Sequence, residues 1–243
     1  MKRTIANLAN KLFEPLGFKL VGNKSIEFTM SSMLARLKTR DALPRSIVDI
    51  GASDGKWSGT CMKYFSSSRY LAIEALEERS SSLATLKQKH ANFDYEICIA
   101  GEVDGGQAVI SVADDLDGST VNAGGDGAQR SCQVRTIDAL VSERGLPGPY
   151  LLKFDTHGFE IPILAGCVET LRNTSAIIME CYNFRVTPDT FRFYEMCSHM
   201  EKLGFRPADI ADPMLRKHDH VFWQVDIMFL PIRDTVFEYE AYE

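Results

Sequence analysis

The sequence predicts an α/β fold in which helices cover both faces of a largely parallel sheet. Three observations predict it: strand-like apolar runs alternate with helical periodicities from Ser46 onward, the first strong strand ends in a glycine turn, and the second ends in an acidic residue. The 243 residues fit one large domain, and the 45% apolar content suffices for a core on both faces. We expect this domain over residues 46–243, after a helical extension over residues 1–45.

The N-terminal extension is expected to contain two amphipathic helices. Apolar residues recur at helical spacing between Ile5 and Leu16 and again between Met30 and Leu37. We expect these helices to act as a cap or as an arm that packs on the domain.

The domain itself is expected to have two halves that alternate strand and helix. The first half has strands near 46–51, 70–75 and 94–100 and helices near 55–65 and 77–91. The second half has a strand at 150–155, a helix near 161–172, a strand at 176–181 and a helix with Thr187 as its cap and Pro188 in its first turn.

The final run, near 221–230, is expected to pair antiparallel with the segment before it at the sheet edge. Between the halves, strands near 107–113 and 132–137 flank a glycine- and aspartate-rich loop.

Composition excludes several classes of protein. The net charge of −6 is scattered and no basic run is present, so we expect no nucleic-acid partner. Polar residues interrupt the apolar part of the N-terminus, and no segment approaches the about 20 apolar residues of a membrane span. The six cysteines form no C-x-x-C pair, as is typical of unpaired buried thiols. We therefore expect a soluble, cytoplasmic protein without a transmembrane segment.

Acidic residues stand at or near the predicted carboxyl ends of four strands: Asp49, Glu74, Asp155 and Glu180. Ligands of open α/β sheets bind outside these strand ends. Glu74 follows the glycine turn at about the 20-residue spacing of a ribose-binding carboxylate, and its two oxygens can accept two hydroxyl protons. The alternatives are a capped turn for Asp49 and an exposed acid at a helix start for Glu74. Together the strand ends predict a bound nucleoside.

The glycine turn, I-G-A-S-D-G, discriminates among nucleotide ligands. A dinucleotide fingerprint has a second glycine two positions after the first, but Ser53 stands there, and a phosphate loop needs a G-K-[ST] sequence that is absent. The turn instead has Gly51 and Gly55, with Asp49 and Asp54 supplying negative charge. This pattern favours a ligand without phosphate, such as S-adenosylmethionine with its cationic sulfonium.

The stretch L-L-K-F-D-T-H-G-F-E crowds four ionisable residues into a strand–loop–helix junction: Lys153, Asp155, His157 and Glu160. Such crowding is typical of a functional site. An adjacent Asp155 would make His157 basic enough to accept a proton from a hydroxyl. The alternatives are an ordinary turn histidine, a Lys153 paired with a neighbouring carboxylate, and a Glu160 that complements a helix N-terminus. We take Asp155, His157 and Glu160 as the candidate catalytic residues.

A second pair of histidines, His218 and His220, flanks Asp219. Two potential ligands without a clear third are typical of a solvated loop, so the sequence predicts no metal site.

With these motifs assembled, the chain resembles the FkbM-type methyltransferases, a class I S-adenosylmethionine-dependent family. The resemblance rests on I-V-D-I-G-A-S-D-G-K-W-S, R-T-I-D-A-L, L-L-K-F-D-T-H-G-F-E-I-P-I-L-A-G, I-I-M-E-C and W-Q-V-D-I-M-F, in that order, and it covers roughly residues 33–230. It implies a Rossmann-like, seven-stranded mixed sheet whose last strand is antiparallel. It also implies methyl transfer to a hydroxyl of a sugar, a glycan or a secondary metabolite.

The resemblance also assigns site residues. Asp155 would face the reacting centre, Glu74 would hold the ribose, and the region after the third strand would border the adenine. The cofactor-binding residues expected on these grounds are Asp49, Gly51, Ala52, Ser53, Asp54, Gly55, Glu74, Ala75, Ala100 and Gly101. We expect the loop at 114–130 and the N-terminal helices to shape the acceptor pocket.

Two residues depart from the family pattern. Ser53 stands where relatives usually have Asn, and His157 stands where the D-x-E-G-x-E pattern has Glu. The second departure leaves open a cofactor-binding module without catalysis. Another alternative is a metal-assisted hydrolase built on Asp155, Glu160, His218 and His220.

Overall fold

The computed structural model describes residues 27–40, 43–121 and 128–242, so the helix expected between Ile5 and Leu16 lies outside the described residues. The helices are α1 (Met30–Lys38), α2 (Lys56–Cys61), α3 (Ser80–Lys89), α4 (Ile137–Glu143), α5 (Glu160–Ala165), α6 (Val168–Arg172) and α7 (Phe193–Lys202), with 3-10 turns at Glu77–Arg79 and Thr235–Phe237. The strands are β1 (Ser46–Ile50), β2 (Arg69–Glu74), β3 (Phe93–Ile97), β4 (Ile99–Ala100), β5 (Gln107–Val112), β6 (Thr120–Val121), β7 (Ala128–Arg135), β8 (Tyr150–Phe154), β9 (Thr174–Tyr182), β10 (Phe205–Leu215) and β11 (Phe222–Pro231).

Seven strands form the main sheet in the order β10-β11-β9-β8-β1-β2-β3. The central strand β1 pairs in parallel with β2 and β8, and it is buried along its whole length, as its apolar run predicts. Strand β11 lies antiparallel between β9 and β10. The predicted seven-stranded mixed sheet with an antiparallel last strand is confirmed, as is the antiparallel pair at its edge.

Side chains that alternate along the central strands fill a separate apolar cluster on each face of the sheet. Val48 and Phe154 belong to one cluster, and Ile47 and Leu151 to the other. Helix α1 packs its buried residues into the second cluster. The Arg36 guanidinium of this helix also pairs with Asp209 of β10 at 2.7 Å, so this part of the extension packs as an arm on the sheet.

A second sheet of four strands, in the order β4-β7-β5-β6, was not foreseen. The strand expected near 94–100 divides at Cys98: β3 stays beside β2, whereas β4 pairs with β7. The strand expected near 132–137 begins earlier and ends at Arg135, because Thr136 caps helix α4 by accepting from the Ala139 N–H at 3.2 Å.

Two helix predictions in the second half are wrong in their boundaries. The helix expected near 161–172 is divided into α5 and α6. The helix expected to begin at Thr187 begins at Phe193, with Arg192 as its cap and a bond from the Arg192 N–H to Glu195 Oε2 at 2.8 Å. Thr187 instead donates its N–H to Thr190 Oγ1 at 2.9 Å, and this local turn leads into the helix.

The six cysteines are unpaired. Within the described residues, every helix is too short or too polar to cross a lipid bilayer.

Candidate active site

The glycine turn after β1 lies directly against the loop after β8. Gly51 has φ of +78°, a left-handed conformation that favours glycine. Its N–H donates to Ile73 O of β2 at 2.9 Å, and the Asp155 N–H donates to Ile50 O at the same distance. A Cβ atom at Gly51 would lie 1.9 Å from Asp155 O. The turn therefore needs glycine for its φ and for this close approach.

Replacing Gly51 with alanine is expected to destabilise the fold more than the same change at Gly105. Both glycines have φ of +78°, but a Cβ at Gly105 meets nothing within 4 Å. The shared left-handed conformation costs about 1–2 kcal/mol, and overpacking at Gly51 adds at least about 1–3 kcal/mol. Urea unfolding of the two variants measures the difference, and equal losses would contradict the close approach at Gly51.

Glu74, at the end of β2, connects the glycine turn to the following segment. Its Oε2 accepts from the Ser53 N–H at 2.7 Å and its Oε1 from the Leu76 N–H at 2.8 Å. Burial raises the pKa of this carboxyl above its ordinary value, and the two N–H donors oppose that shift. Each oxygen retains a lone pair for a further donor. The carboxylate can therefore hold its turn and accept two ligand hydroxyls together.

Asp49 is buried and contacts helix α2. It is 1% exposed, and its Oδ2 accepts from Ser58 Oγ at 2.6 Å. Burial raises the pKa of its carboxyl from 3.8 to about 6. The hydrogen bond between Asp49 and Ser58 fixes the helix after the glycine turn.

The raised pKa of Asp49 predicts a pH-dependent stability. Between pH 3.8 and about 6 the folded chain keeps a proton that the unfolded chain has released, so the free energy of unfolding falls as pH rises. Two pKa units correspond to about 3 kcal/mol. Urea unfolding across this window is expected to show wild type losing that amount relative to Asp49→Asn, which stays neutral. A constant difference between the two proteins would contradict the raised pKa.

A cavity of about 270 Å³ opens at the carboxyl ends of the central strands. We call it the strand-end cavity. The predicted site residues that line it are Gly51, Ser53, Glu74, Ala75, Ala100, Asp155 and His157. The predicted site residues that are not among its lining residues are Asp49, Ala52, Asp54, Gly55, Gly101 and Glu160. The cavity thus brings together the predicted ribose carboxylate and two of the three candidate catalytic residues.

Two of the residues outside the lining have structural contacts of their own. The Asp54 carboxylate pairs with Lys56 at 2.6 Å, so its charge is not directed into the cavity. Gly55, with φ of +81°, lies where a Cβ would come within 2.9 Å of Leu86 Cδ2. The absence of a side chain at Gly55 therefore lets the glycine turn pack closely against helix α3.

The roof of the strand-end cavity comes from the second sheet and the loop between β5 and β6. Ile110 and Leu116 give it an apolar surface. Asp117 Oδ1 accepts from Arg79 Nη2 at 2.5 Å and from Ser53 Oγ at 3.1 Å, and it joins the roof to the glycine turn. Part of the 114–130 loop therefore lines the cavity on the side of Glu74. Among the described residues, helix α1 contributes no lining residue to this cavity, and the role expected for the N-terminal helices in shaping the acceptor pocket stays a prediction.

Sequence reasoning missed Arg79 and Asp117 as lining residues. Asp117 lies in the D-D-L-D-G run of the 114–130 loop, which is expected to shape the acceptor pocket but for which the sequence singles out no residue. Arg79 had no signal, because a single arginine beside two glutamates is typical of a solvated helix start.

Three ionisable residues form one wall of the strand-end cavity: Asp155, His157 and Glu180. One ligand atom from each lies within 4.8 Å of the others. His157 Nε2 lies 3.5 Å from Asp155 Oδ1 and 3.6 Å from Glu180 Oε2. We call these three residues the Asp155–His157–Glu180 cluster.

Lys153 carries a buried ammonium behind this cluster. Its Nζ lies 3.0 Å from Asp226 Oδ1 and 3.4 Å from Asp155 Oδ2. Burial alone would lower the pKa of Lys153, but the carboxylates of Asp155 and Asp226 raise it above its ordinary value. Burial alone would raise the pKa of Asp155, but the Lys153 ammonium and then His157 lower it. Asp155 is therefore ionised at neutral pH, and the alternative in which Lys153 pairs with a neighbouring carboxylate is confirmed.

Glu180 is held by neighbours on strands β9 and β11. Its Oε2 accepts from the Tyr182 hydroxyl and its Oε1 from Gln224 Nε2. Burial and the negative charge of Asp155 raise the pKa of Glu180 to about 8. The sequence placed this acid at a strand end but gave it no role.

Glu160 is buried below the loop that carries His157. Its Oε1 accepts from the Gly158 N–H at 2.9 Å and from Thr156 Oγ1 at 3.0 Å. Its carboxylate supports the loop, in which His157 has φ of +50°. The structure thus gives Glu160 a positioning contact and no contact with the cavity.

The second pair of histidines lies elsewhere. His218 and His220 are exposed in the turn between β10 and β11, and neither lines the strand-end cavity. The residue set of the metal-assisted hydrolase, which includes both, is not brought together.

Comparisons with known proteins show the family and the fold. A family model described as the methyltransferase FkbM domain matches residues 49–207, more than half of the chain. The crystal structure of methyltransferase FkbM from Methylobacillus flagellatus is 17% identical, with a TM-score of 0.52 over 83% of this chain and 48% of that one. The chain thus spans about half the length of that relative. No curated protein sequence gives a significant match.

Other solved structures have lower TM-scores. A putative RNA methyltransferase from Pyrococcus horikoshii is 13% identical, with a TM-score of 0.46 over 96% of this chain and all of that one. A putative tRNA (m1A22) methyltransferase from Streptococcus pneumoniae, in complex with S-adenosyl-L-methionine, is 10% identical, with a TM-score of 0.47 over 83% of this chain and 71% of that one.

The sheet order is that of a Rossmann-like methyltransferase fold, as the resemblance implies. Within that class the chain belongs to the FkbM methyltransferase family, and the resemblance drawn from its motifs is confirmed.

Proposed function

We propose that this chain transfers a methyl group from S-adenosylmethionine to a hydroxyl group of a small-molecule acceptor, a sugar, a glycan or a secondary metabolite. The observation that carries the proposal is that Glu74 and the Asp155–His157–Glu180 cluster line one cavity at the carboxyl ends of parallel strands. Membership of the FkbM methyltransferase family supports the methyl transfer.

Glu74 is the proposed ribose ligand. Its two oxygens are already fixed by the Ser53 and Leu76 N–H groups, so the carboxylate meets the two ribose hydroxyls without reorganisation. Gly51 and Ser53 then border the methionine end of the cofactor, and Ala100 borders the adenine. The acidic groups of the cavity favour the positive charge on the sulfonium.

The chemical step is an in-line displacement. A lone pair on the acceptor oxygen forms the new O–C bond, the C–S bond breaks, and its electron pair stays on sulfur, which becomes a neutral thioether. The hydroxyl proton passes to Asp155 or His157. Holding both reactants in register supplies about 7–11 kcal/mol, so a modest base is sufficient. The ionised Asp155 carboxylate, beside His157, meets that need.

The acceptor is proposed to be a small molecule or a glycan, with no nucleic-acid partner. The net charge of −6 and the acidic wall of the cavity both oppose a phosphate backbone. Six unpaired cysteines support the cytoplasmic location proposed for the chain.

Calorimetry with S-adenosylmethionine, followed by a labelled-methyl screen over hydroxylated small molecules and glycans, tests the proposal. We expect one bound cofactor per chain and label transfer to at least one class of acceptor. Cofactor binding without transfer to any acceptor would instead indicate a binding module that has lost catalysis. No cofactor binding would contradict the assignment of the strand-end cavity.

A further inference from the structure

We propose that the Asp155–His157–Glu180 cluster binds one divalent transition-metal ion in the wall of the strand-end cavity. The ion would hold the acceptor hydroxyl in front of the transferable methyl. Its place in turnover therefore rests on the methyl transfer proposed above, whereas its binding does not.

The distances within the cluster fit metal ligation better than hydrogen bonding. His157 Nε2 faces Asp155 Oδ1 at 3.5 Å and Glu180 Oε2 at 3.6 Å, both long for N–H···O bonds. Ligand atoms about 2.1 Å from a tetrahedral ion lie about 3.4 Å from one another. The imidazole nitrogen thus already stands at about the spacing that an ion between the three groups would impose.

In each carboxylate of the cluster, one oxygen is available to bind a metal ion and the other accepts a hydrogen bond that orients the side chain. The Lys153 ammonium takes Asp155 Oδ2, which leaves Oδ1 toward His157. Gln224 takes Glu180 Oε1, and the Tyr182 hydroxyl donates to Oε2, which retains a second lone pair. Such outer hydrogen bonds orient carboxylates that bind metals. The cluster therefore has its supporting contacts in place.

Charge supports a cation at the same point. The Lys153 ammonium lies closer to Asp226, at 3.0 Å, than to Asp155, at 3.4 Å. The side chains of Asp155 and Glu180 converge within a partly buried wall, and holding both of them ionised there needs positive charge beyond that of Lys153. A divalent ion would supply that charge.

The ligand types specify the class of ion. Three protein ligands leave at least one open coordination position, which is the arrangement of catalytic sites. An imidazole beside two carboxylates suits Mn²⁺, Fe²⁺, Co²⁺ or Zn²⁺ better than Mg²⁺, which prefers oxygen ligands. His157 thus makes this cluster a transition-metal site, where the glutamate of the family pattern would make an all-oxygen set.

A bound ion would also assist the proposed chemistry. It would lower the pKa of a bound hydroxyl, as it does for water. The proton would pass to the second lone pair of Asp155 Oδ2, whose first lone pair accepts from the Lys153 ammonium, while the O–C bond forms and the C–S bond breaks. The atoms and charges of the displacement are otherwise unchanged.

Metal titration of the chelator-treated full chain tests the proposal, with calorimetry for Zn²⁺ and Mn²⁺ and elemental analysis for stoichiometry. We expect one ion per chain. His157→Asn keeps a residue that tolerates positive φ and should weaken Zn²⁺ binding at least about 10–100-fold. His157→Glu should reverse the preference in favour of Mn²⁺ and Mg²⁺. The exposed pair His218→Ala and His220→Ala is the matched control and should bind like wild type.

The absence of a stoichiometric ion with either metal would overturn the metal site, and so would Zn²⁺ binding of wild-type affinity in the His157→Asn variant. Loss of binding in the His218 and His220 control would also overturn it, since the ion would then lie in the β10–β11 turn. Thermal unfolding confirms that each variant is folded. Calorimetry with S-adenosylmethionine on the metal-free chain separates the two proposals. Cofactor binding without any ion would leave methyl transfer standing, and an ion without cofactor binding would leave the metal site standing.

Discussion

Replacing Asp155 with asparagine is expected to reduce kcat by about 100- to 10,000-fold, the range of general acid–base catalysis, while S-adenosylmethionine binds nearly as before. The reason is the position of the carboxylate. It lines the strand-end cavity, lies 3.5 Å from His157 Nε2 and is kept ionised by Lys153. Asparagine keeps the shape of the side chain but cannot accept the hydroxyl proton. Single-turnover assays with labelled cofactor measure the loss.

Asp226→Asn is the matched control for this change. Asp226 contacts the same Lys153 ammonium, at 3.0 Å, but is not among the residues that line the cavity. We expect this variant to lose stability, because a buried charge loses its partner, with a much smaller effect on kcat than Asp155→Asn. If Asp155→Asn lowers cofactor affinity and turnover equally, Asp155 is structural and the base must be sought elsewhere.

Replacing Glu74 with alanine is expected to weaken S-adenosylmethionine binding by about 1.5–3 kcal/mol, which is the range for hydrogen bonds to a charged group and corresponds to about 10- to 150-fold in Kd. The ribose loses both of its acceptors, and the Ser53 N–H loses the partner that fixes the glycine turn. Calorimetry measures the change. Glu74→Gln keeps one carbonyl acceptor and should lose less affinity.

Glu78→Ala is the control for Glu74. Glu78 lies on the same segment and pairs with Arg130 at 2.6 Å on the surface, away from the cavity lining. Its removal should leave the cofactor Kd unchanged. A Glu74→Ala variant with wild-type affinity would remove Glu74 from the site, and thermal unfolding distinguishes that result from a loss of fold.

The part of the strand-end cavity formed by the ends of β1, β2 and β8 could be predicted from sequence, because local patterns specify those strands and their turns. The buried run Ile47–Ile50 and the glycine after it predict a parallel strand and its turn, and Glu74 ends the next strand in the same way. Carboxyl ends of parallel strands meet at one edge of a sheet, so the meeting of Glu74 and Asp155 follows from the alternation itself.

The roof could not be predicted because it depends on strand pairing, and the fine geometry could not because it depends on which of several neighbours engages each side chain. Nothing in the Gln107–Val112 run specifies that it pairs with β7 and not with the main sheet. Asp49 and Glu160 carry the residue type of a ligand, yet Ser58 and the Gly158 N–H engage them inside the fold. Thr187 and Pro188 match a helix start, but the local bond from the Thr187 N–H to Thr190 Oγ1 closes a turn there, and the helix begins at Phe193.

The main sheet and the second sheet each line one side of the strand-end cavity. The residues on one side can therefore change without altering the other side. Leu76, Ile99, Ile110 and Val134 form a small apolar cluster at the roof, apart from the two clusters on the faces of the main sheet. Substitutions in strands β5, β6 and β7 can therefore reshape the roof while the main sheet keeps its stability. One unchanged main sheet could in this way serve different acceptors, because only the smaller second sheet would have to vary.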